Sequence, residues 1–569
     1  MANVGLSIVE GVANGASAYK MPSKRNIGLL GQFIRGAALT PQKVTSLEDF
    51  NVMFGGQSSN FYGPGIVRSI FKEAGEAKVT LYLARVVGED AVVASGLASL
   101  SGGVTMSVRA GYKGTDDPGT WANGIVVRLY SYSSLVKNMF TLTVQYEKTV
   151  ETYNYASLAE IQVAVNKVSK YVTIEFSGEI QKMNYKNLTG TITASTSSNT
   201  IVGNGTAFGT DVKAGDVLFD SNDRQIGTVS QVTDDTHLIL ASRAMISVNG
   251  AAKARVDSVY ETVLSSGVDG NVVESDFYPV KNSTNPKGLA CFEGFDIQIL
   301  AVTEFHSLTM AKALNSFLSD WQNPVGVINL PLNADEGTAE LYAMELQTSG
   351  RSFMAGAYMG WGKVDDEQGN EQLLPIIGPV LGAAYLRTPY IQGDFIHIPP
   401  GGMDSLFTTV KEVIPARLSQ SVINRCVQQY SCNIIQYVEN EGYYVGSSRT
   451  YSTNDLYCSI HIRLQTSYYV RALNVMMRFM EQKPNTPELK NEALKALHRY
   501  FKNEYDNGAL ERSVPFDTAY QGICDKSNNP VGQDRKLINI NVLWIPTECT
   551  ESIQLALQRN DGVLNVTEV

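Results

Sequence analysis

Residues that could do chemistry are thinly spread along this chain. The stretch GAYMGWGKV comes nearest to a phosphate-binding loop, because a lysine follows a glycine-containing run. It departs from that pattern twice: Ala357 stands where the first glycine is needed, and Val364 follows Lys363 where a serine or threonine would hold magnesium. The stretch GNGTAFG lacks the spacing of a dinucleotide-binding loop and lies among strand-like segments. We therefore expect no nucleotide cofactor.

The histidines and cysteines also form no recognisable catalytic or metal-binding pattern. No H-E-x-x-H, C-x-x-C or G-x-S-x-G motif is present, and the six cysteines are far apart, which indicates buried thiols rather than a disulfide framework. The sequence predicts no catalytic residue, metal site or cofactor, although a triad assembled from distant positions stays open. The five histidines are His237, His306, His397, His461 and His498.

The bulk composition is that of a multidomain globular protein. The chain has 569 residues, 44% of them hydrophobic, and this length predicts about three to five domains. A formal net charge of -10 argues against nucleic-acid binding, which needs a surplus of lysine and arginine. The N-terminal stretch lacks the basic and apolar regions of a secretory signal, and the most apolar stretch, QLLPIIGPVLGAAYL, is short for a membrane span and broken by prolines. We expect no membrane insertion.

The elements that would position any site begin with a compact α/β unit over residues 21–100. NIGLLGQF and KVTLYLARVV are typical of strands, and SLEDFNVMFG and GPGIVRSIFKEAG of helices. Ser46 followed by Asp49 predicts a helix cap, and Gly75 predicts a helix stop.

Residues 101–189 and 257–287 predict a β-rich middle domain interrupted by an insertion. The strands VVRLYSYS, FTLTVQYE and YVTIEFSG surround one helix, SLAEIQVAVNKVS. Between the two parts, residues 190–256 change to closely spaced short strands rich in Thr, Ser, Gly and Asp, which indicates a small inserted β-barrel or sandwich. Trp121 precedes the strand over residues 125–129, where we expect it to be a core anchor.

Residues 288–548 alternate strand and helix, a pattern that favours a parallel sheet with covering helices. A later helix begins at Pro487 after a threonine cap and closes on Gly508. The overall prediction is an α/β and α+β multidomain chain, with an α/β core, a β-rich middle domain, a small β module and a strand at each end.

The sequence predicts an amphipathic strand at each end of the chain. In the N-terminal arm, residues 1–20, a glycine-rich stretch follows the strand; the C-terminal arm comprises residues 549–569. Each strand could be an ordinary edge strand of its own sheet. An unprotected edge promotes association, however, so two such strands also suit addition to a neighbouring chain. The residues with period-two spacing are Val4, Leu6, Ile8, Ile553, Leu555 and Leu557.

The order of these pieces resembles the contractile tail sheath proteins of phages and related injection systems. The stretch IGLLGQFIRGAALTPQKVTSLEDFNVMFGG followed by LYLARVV is similar to the family's opening domain. PGTWANGI is similar to its Trp-Gly-Asn loop, with Ala122 in place of glycine, and GPVLGAAYLRTPYIQGDFIHIPPGG to its Arg-Thr segment, with Pro400 in place of alanine. VGSSRTYS and INVLWIPTECTESIQLAL resemble its closing strands. The likeness spans the chain except residues 190–256.

This resemblance implies a helical polymer of stacked hexameric rings around a tail tube, joined by strands that the arms add to adjacent subunits. Contraction from a metastable extended state would drive the tube through a target envelope without nucleotide. Implied partners are further copies of the chain, the tube protein, and baseplate and tail terminator proteins. The implied location is a virion tail or injection-system particle assembled in the bacterial cytoplasm. Gly11 and Gly15 are candidate arm hinges.

The resemblance also places the late helix against the tube, which would give its basic residues a role; a solvated basic face explains the same pattern. These residues are Lys490, Lys495, Arg499 and Lys502. Two other classes of function stay open. One is a non-contractile structural tail or capsid protein, and the other is a hydrolase or nucleotide-binding enzyme built on the α/β core.

Overall fold

The computed structural model describes residues 21–131, 139–180, 184–256, 259–281, 286–530 and 536–550. The chain from Ile27 to Arg85 forms three strands and two helices: β1 (Ile27–Gly31), β2 (Gln42–Val44), α1 (Leu47–Phe54), α2 (Tyr62–Ala74) and β3 (Leu81–Arg85). The Ser46 side chain accepts a hydrogen bond from the Asp49 backbone and caps α1, as predicted. Gly75, at φ 58°, ends α2, because a residue without a side chain adopts that backbone conformation at little cost.

The next segment is β-rich and holds one helix. Its elements are β4 (Ser95–Ser99), β5 (Thr105–Tyr112), β6 (Thr115–Asp116), β7 (Val126–Tyr130), β8 (Phe140–Tyr146), β9 (Thr149–Tyr155), α3 (Leu158–Val168) and β10 (Val172–Phe176).

The inserted module follows, and after it the chain returns to the middle domain. The elements are β11 (Asn184–Asn187), β12 (Thr191–Ala194), β13 (Thr200–Asn204), α4 (Phe208–Asp211), β14 (Val217–Asp220), β15 (Gln225–Val232), β16 (His237–Leu240), β17 (Val248–Gly250), β18 (Ala252–Val256) and β19 (Val259–Val263).

The last segment alternates helices and strands. It comprises β20 (Ile299–Val302), α5 (Leu308–Trp321), β21 (Val325–Val327), α6 (Glu336–Leu346), β22 (Tyr358–Met359), β23 (Trp361–Asp365), β24 (Glu371–Pro375), α7 (Ile377–Val380), α8 (Thr388–Ile391), β25 (Val410–Ile414), α9 (Gln420–Gln428), β26 (Asn433–Val438), β27 (Gly442–Val445), α10 (Ile460–Met477), α11 (Pro487–Asp506), α12 (Phe516–Ala519), β28 (Tyr520–Ile523) and β29 (Asn541–Trp544).

One five-stranded sheet, in the order β2-β3-β1-β20-β21, joins the beginning and the end of the described chain. β1 pairs in parallel with β3 on one side and with β20 on the other. Alternate side chains of β1 enter two cores: Leu29 packs in one and Leu30 in the other. Burial on both faces explains the continuous apolar run of this strand.

The shared sheet corrects the predicted domain division. Residues 21–100 and 288–548 were predicted as separate domains, but β20 fills the edge of β1 and makes them one α/β core domain. Hydrophobic patterns in short stretches of sequence do not reveal such pairing, because Ile27 and its partner Ile299 are far apart in sequence. β4, also within residues 21–100, pairs with β5 and belongs to the middle domain instead.

The middle domain contains two antiparallel sheets joined at one edge. One has the order β10-β5-β4 and the other β19-β7-β8-β9, and a bridge between Ser95 and Ser265 connects them. α3 buries Leu158, Ile161 and Val165 in the common core. β19, which follows the module, pairs with β7, so the insertion interrupts one folded unit.

The module is an eight-stranded antiparallel sheet with a hydrophobic core of its own. Its order is β11-β18-β14-β15-β16-β13-β12-β17, and Ile201, Phe208 and Leu218 are buried within it. β11 pairs with β18 from Asn184 opposite Val256. The module therefore begins before residue 190, in a stretch that the sequence pattern assigned to the middle domain.

Candidate functional site

The carboxyl edge of the parallel sheet is where an α/β enzyme would place its site. Here that edge is closed by the start of α2. Glu304, just after β20, accepts hydrogen bonds from the backbone N–H groups of Tyr62 and Gly63, each at 3.0 Å, and of Gln32 at 3.1 Å. Burial raises its pKa to about 7, against the opposing effect of these hydrogen bonds. The carboxylate caps a helix and faces protein groups.

His306 and Lys363 are the other chemistry-bearing groups near this edge. His306 is buried beside Trp361 with ring centroids 5.8 Å apart, and neither ring nitrogen has a partner among the described residues. Burial lowers its pKa to about 4. Lys363 lies within β23, where its Nζ is 2.7 Å from Glu412. The GAYMGWGKV stretch thus forms strands β22 and β23 rather than a loop leading into a helix.

Two general features of the described ranges bear on function. Within them, no three His, Cys, Asp or Glu side chains are grouped as ligands for a metal ion. In the same part of the chain, no helix combines the length and apolar character that a membrane span requires.

A buried charge cluster joins the core domain to the middle domain. Arg85, at the end of β3, is 2% exposed, and its Nη1 lies 3.0 Å from Asp117 Oδ1. Its Nη2 lies 3.4 Å from Asp269 Oδ1, and its Nε donates to the Phe33 carbonyl at 2.9 Å. One core-domain arginine is therefore held by two middle-domain carboxylates.

Asp117 is itself enclosed by donors from both domains. Its Oδ2 accepts from the Gly36 backbone at 2.8 Å, and its Oδ1 accepts from Trp121 Nε1 at 3.2 Å. Burial raises the pKa of Asp117 to about 6, and the charge of Arg85 opposes that shift. Removing Asp117 would leave the buried Arg85 with only the partly exposed Asp269 as counter-charge.

Trp121 belongs to this junction rather than to the start of a strand alone. It forms one wall of an aromatic cage around the guanidinium of Arg35, whose Cζ lies 5.3 Å from the Trp121 ring, 5.7 Å from Tyr146 and 5.0 Å from Tyr171. The predicted anchor role is thus extended: the tryptophan packs between two domains. The sequence did not indicate the two arginines, since nothing local distinguishes a buried arginine from an exposed one.

Near the C-terminal end, β28 and β29 form a two-stranded antiparallel sheet with no third strand among the described residues. Val542 and Trp544 point inward and pack against the core. Leu543 and Ile545 alternate with them and are 53% and 41% exposed. β29 is therefore apolar on both faces, although only one face is covered. The continuous apolar run in NVLWIP is consistent with a strand that is apolar on both faces, but the sequence did not show which face lacks a partner.

Grooves flank this small sheet. One of about 400 Å³ lies between α11 and β28, with Leu494, His498 and Gly522 in its wall. Another of about 970 Å³ lies beside the residues that lead into β29, with Met477, Met480 and Ile540 in its wall. An isolated pair of strands is marginal in water, so these surroundings suit the addition of further strands.

The chain is firmly anchored where the two arms begin. At the N-terminal side, Arg471 donates to the Ser23 carbonyl at 3.0 Å, and Arg25 forms an ion pair of 2.7 Å with Asp394. At the C-terminal side, Thr547 Oγ1 donates to the Gly508 carbonyl at 2.8 Å, and His461 Nε2 lies 3.2 Å from the Thr547 carbonyl.

The predicted arm strands and hinges lie outside the described residues and stay predictions: Val4, Leu6, Ile8, Gly11, Gly15, Ile553, Leu555 and Leu557.

α11 begins after the Thr486 cap, and three of its four basic candidates share one exposed face. Lys490 is half-buried and points roughly 140° away from Lys495 around the helix axis. Lys502 is paired with Asp506 at 2.5 Å. The exposed face contains equal numbers of basic and acidic residues: Lys495, Arg499 and Lys502, with Glu488, Glu492 and Asp506.

Comparison with known proteins defines the fold. No family model and no curated protein sequence matches the chain. Among solved structures, the sheath tail protein Lin1278 from Listeria innocua aligns with 93% of this chain and 97% of its own, at 14% identity and a TM-score of 0.51. The sheath tail protein DSY3957 from Desulfitobacterium hafniense aligns with 92% of this chain and 98% of its own, at 11% identity and a TM-score of 0.48.

The PVC sheath complex of an extracellular contractile injection system aligns with 47% of this chain and 71% of its own chain, at 17% identity and a TM-score of 0.39. The alignment with Lin1278 shows that the chain has the fold of a tail sheath protein. The resemblance noted in the sequence is confirmed at the level of the fold.

Proposed function

We propose that this protein is the structural subunit of a contractile tail sheath. In this proposal it polymerises around a tail tube and contracts to drive the tube through a target cell envelope. The fold likeness across nearly the whole chain supports the class of protein. Polymerisation rests on a separate feature, the incomplete β28–β29 sheet.

That sheet is the observation that carries the proposal. Its two strands have no further strand partner among the described residues, and Leu543 of β29 and the adjoining Ile545 are exposed. The C-terminal arm begins a few residues after β29, and both arms have the period-two apolar pattern of a strand. A strand donated by another subunit would satisfy backbone hydrogen bonds and cover the apolar face.

Strand donation of this kind generates a polymer when the contact is head-to-tail and does not close into a ring. Two arms and two strand edges allow each subunit to link with more than one neighbour, as stacked hexameric rings require. The remaining proposed partners are the tube protein, the baseplate and the tail terminator. The proposed location is the tail of a virion or injection particle, assembled in the bacterial cytoplasm, and the metastable extended state supplies the energy of contraction.

Electron microscopy of the purified protein tests the class of function. We expect tubes or rings in negative stain, whereas small discrete particles at all concentrations would contradict the proposal. A double variant, Leu543→Asp with Ile545→Asp, should abolish these assemblies and leave circular dichroism and the melting temperature unchanged, because both side chains are exposed in the subunit. Val542→Asp is the matched control. It should destabilise the subunit itself, because Val542 points inward and packs against the core.

Truncation tests the C-terminal arm. The cut belongs after Thr550 and not before Thr547, because Thr547 is hydrogen-bonded within its own domain. The truncated chain, like Leu555→Asp, should be a folded monomer by circular dichroism and sedimentation, since each buried apolar side chain contributes about 1.5 to 3 kcal/mol per contact. An unfolded product would place the strand in its own domain, and normal polymerisation would show that the arm is dispensable.

A further inference from the structure

A cleft of about 740 Å³ lies between α9 and the β26–β27 hairpin. One wall is a face of α9 that carries Ile423 and Val427. The lining also includes residues of the segment from Gln392 to Gly402, and residues of the hairpin and of the stretch that follows it. Neither the core packing nor the proposed strand exchange at β28 and β29 uses this space.

The chain itself runs into the cleft. Thr547 is fixed on both sides, by Gly508 through its hydroxyl and by His461 through its carbonyl. Residues 547–550 then form part of the cleft lining. The last described residue, Thr550, thus borders the cleft, and residues 551–569 continue from that point.

The lining is suited to an extended peptide. Amide side chains in the lining keep donors and acceptors for a peptide backbone, although Gln392 already donates to Asp404, Gln420 donates to Asn424 and Gln436 accepts from Tyr444. Glu548 is the only lining residue with a formal charge at neutral pH. Gly402 leaves open space in the lining, since an added Cβ there would meet no atom within 4 Å, while Ile423 and Val427 provide an apolar stripe. The amide side chains are those of Gln392, Gln420, Asn424, Gln428 and Gln436.

We propose that, in the unassembled subunit, residues 551–569 of the same chain dock in this cleft. This inference rests on the proposed function, because it gives the C-terminal arm a second binding place. This segment has 19 residues, which span up to about 60 Å when extended, so its length does not limit its reach along the cleft. Ile553, Leu555 and Leu557, on one strand face, would cover Ile423 and Val427.

Docking in its own subunit would restrain polymerisation. A tethered segment has an effective concentration of about millimolar for its own cleft, so the arm would favour the cleft while subunits are dilute. At the end of a growing sheath, the incomplete β28–β29 sheet of a neighbouring subunit would be held in position by several contacts. It would then compete with the cleft for the arm. The docked arm is therefore an autoinhibitory contact that limits premature assembly.

Cysteine cross-linking of the dilute full-length chain tests this contact. The variant Asn424→Cys with Leu555→Cys, made in a Cys458→Ser and Cys549→Ser background, should form an internal cross-link, detected by gel mobility and peptide mass spectrometry. The matched control moves the first site to Asn222, which is exposed on the β module. We expect the Asn424 pair to react and the Asn222 pair to stay reduced.

Cross-links that form equally at both sites, or only between differently tagged chains, would overturn the proposal. A second variant, Asn424→Trp, fills the cleft from an exposed helix position. This variant should polymerise faster than wild type, because all of its subunits have a free arm. If a tenth of the wild-type subunits have an undocked arm, the expected acceleration is about tenfold. An unchanged rate would also contradict the docking. Because cross-linking is measured on monomers, it is decided independently of whether the wild-type chain forms tubes.

Discussion

Arg85 Nη1 and Asp117 Oδ1 are 3.0 Å apart, and both side chains are at most 3% exposed. Arg85 ends a strand of the core sheet, and Asp117 lies in the middle domain, so this pair crosses the boundary between two hydrophobic cores. Each ion is the nearest counter-charge of the other, and burial removes the hydration that would otherwise stabilise them.

Loss of Asp117 should therefore be costly. We expect Asp117→Ala to destabilise the protein by about 3 to 5 kcal/mol, because Arg85 would stay buried with only the partly exposed Asp269 as counter-charge. The neighbouring Asp116→Ala is a matched control: its partner Arg109 is exposed, and the change should be within about 1 kcal/mol. Urea denaturation measures both. Equal effects would show that the buried pair has no special role in joining the domains.

His306 should make the fold sensitive to acid. Its pKa is about 4 in the folded protein and 6.5 ordinarily, so the unfolded chain binds the extra proton and stability is lost as pH falls through that window. Relative to wild type, His306→Phe should gain of order 3 kcal/mol between pH 7 and pH 4.

Glu304 acts in the opposite direction, because its raised pKa makes stability fall as pH rises from 4.5 to about 7. That contribution is present in wild type and variant alike and cancels in the difference. Denaturation midpoints of wild type and His306→Phe, measured at several pH values, test this prediction. A stability difference between the two proteins that does not change with pH would refute the effect of His306.

The β module should be removable. Asn184 and Val256 are paired across β11 and β18, so a short glycine linker can replace residues 184–256 without separating the flanking chain. We expect the shortened protein to fold and to polymerise, and the module to lie on the outer surface of the sheath. Cutting at residue 190 instead would leave β11 without its partner. A soluble 184–256 deletion that fails to assemble would reject the outer placement.

Charge reversal on α11 tests the proposed contact with the tube. Lys495 and Arg499 are exposed, and neither forms an ion pair with another described residue. Lys495→Glu with Arg499→Glu should weaken co-sedimentation with the tube at low salt, and added salt should reduce the difference. Lys490→Glu, off that face, should have little effect. Unchanged attachment at low and moderate salt would leave a solvated face as the explanation.

The local elements could be predicted from the amino-acid sequence. Apolar periodicity and capping residues located α2, α3 and α11, and the change in composition revealed the inserted module, because these signals depend on neighbouring residues. The departure of the stretch around Lys363 from a phosphate-binding loop was also visible in the local sequence, since such a loop has fixed spacing.

Features that depend on pairing between distant residues became visible only in the folded chain. The parallel contact of Ile27 with Ile299 merges two predicted domains, and no local pattern encodes a strand's partner. Burial likewise made a domain junction of Arg85 and Asp117 and left Leu543 exposed. Side-chain type gives an average tendency, whereas the cover over a particular side chain is set by the elements that pack against it.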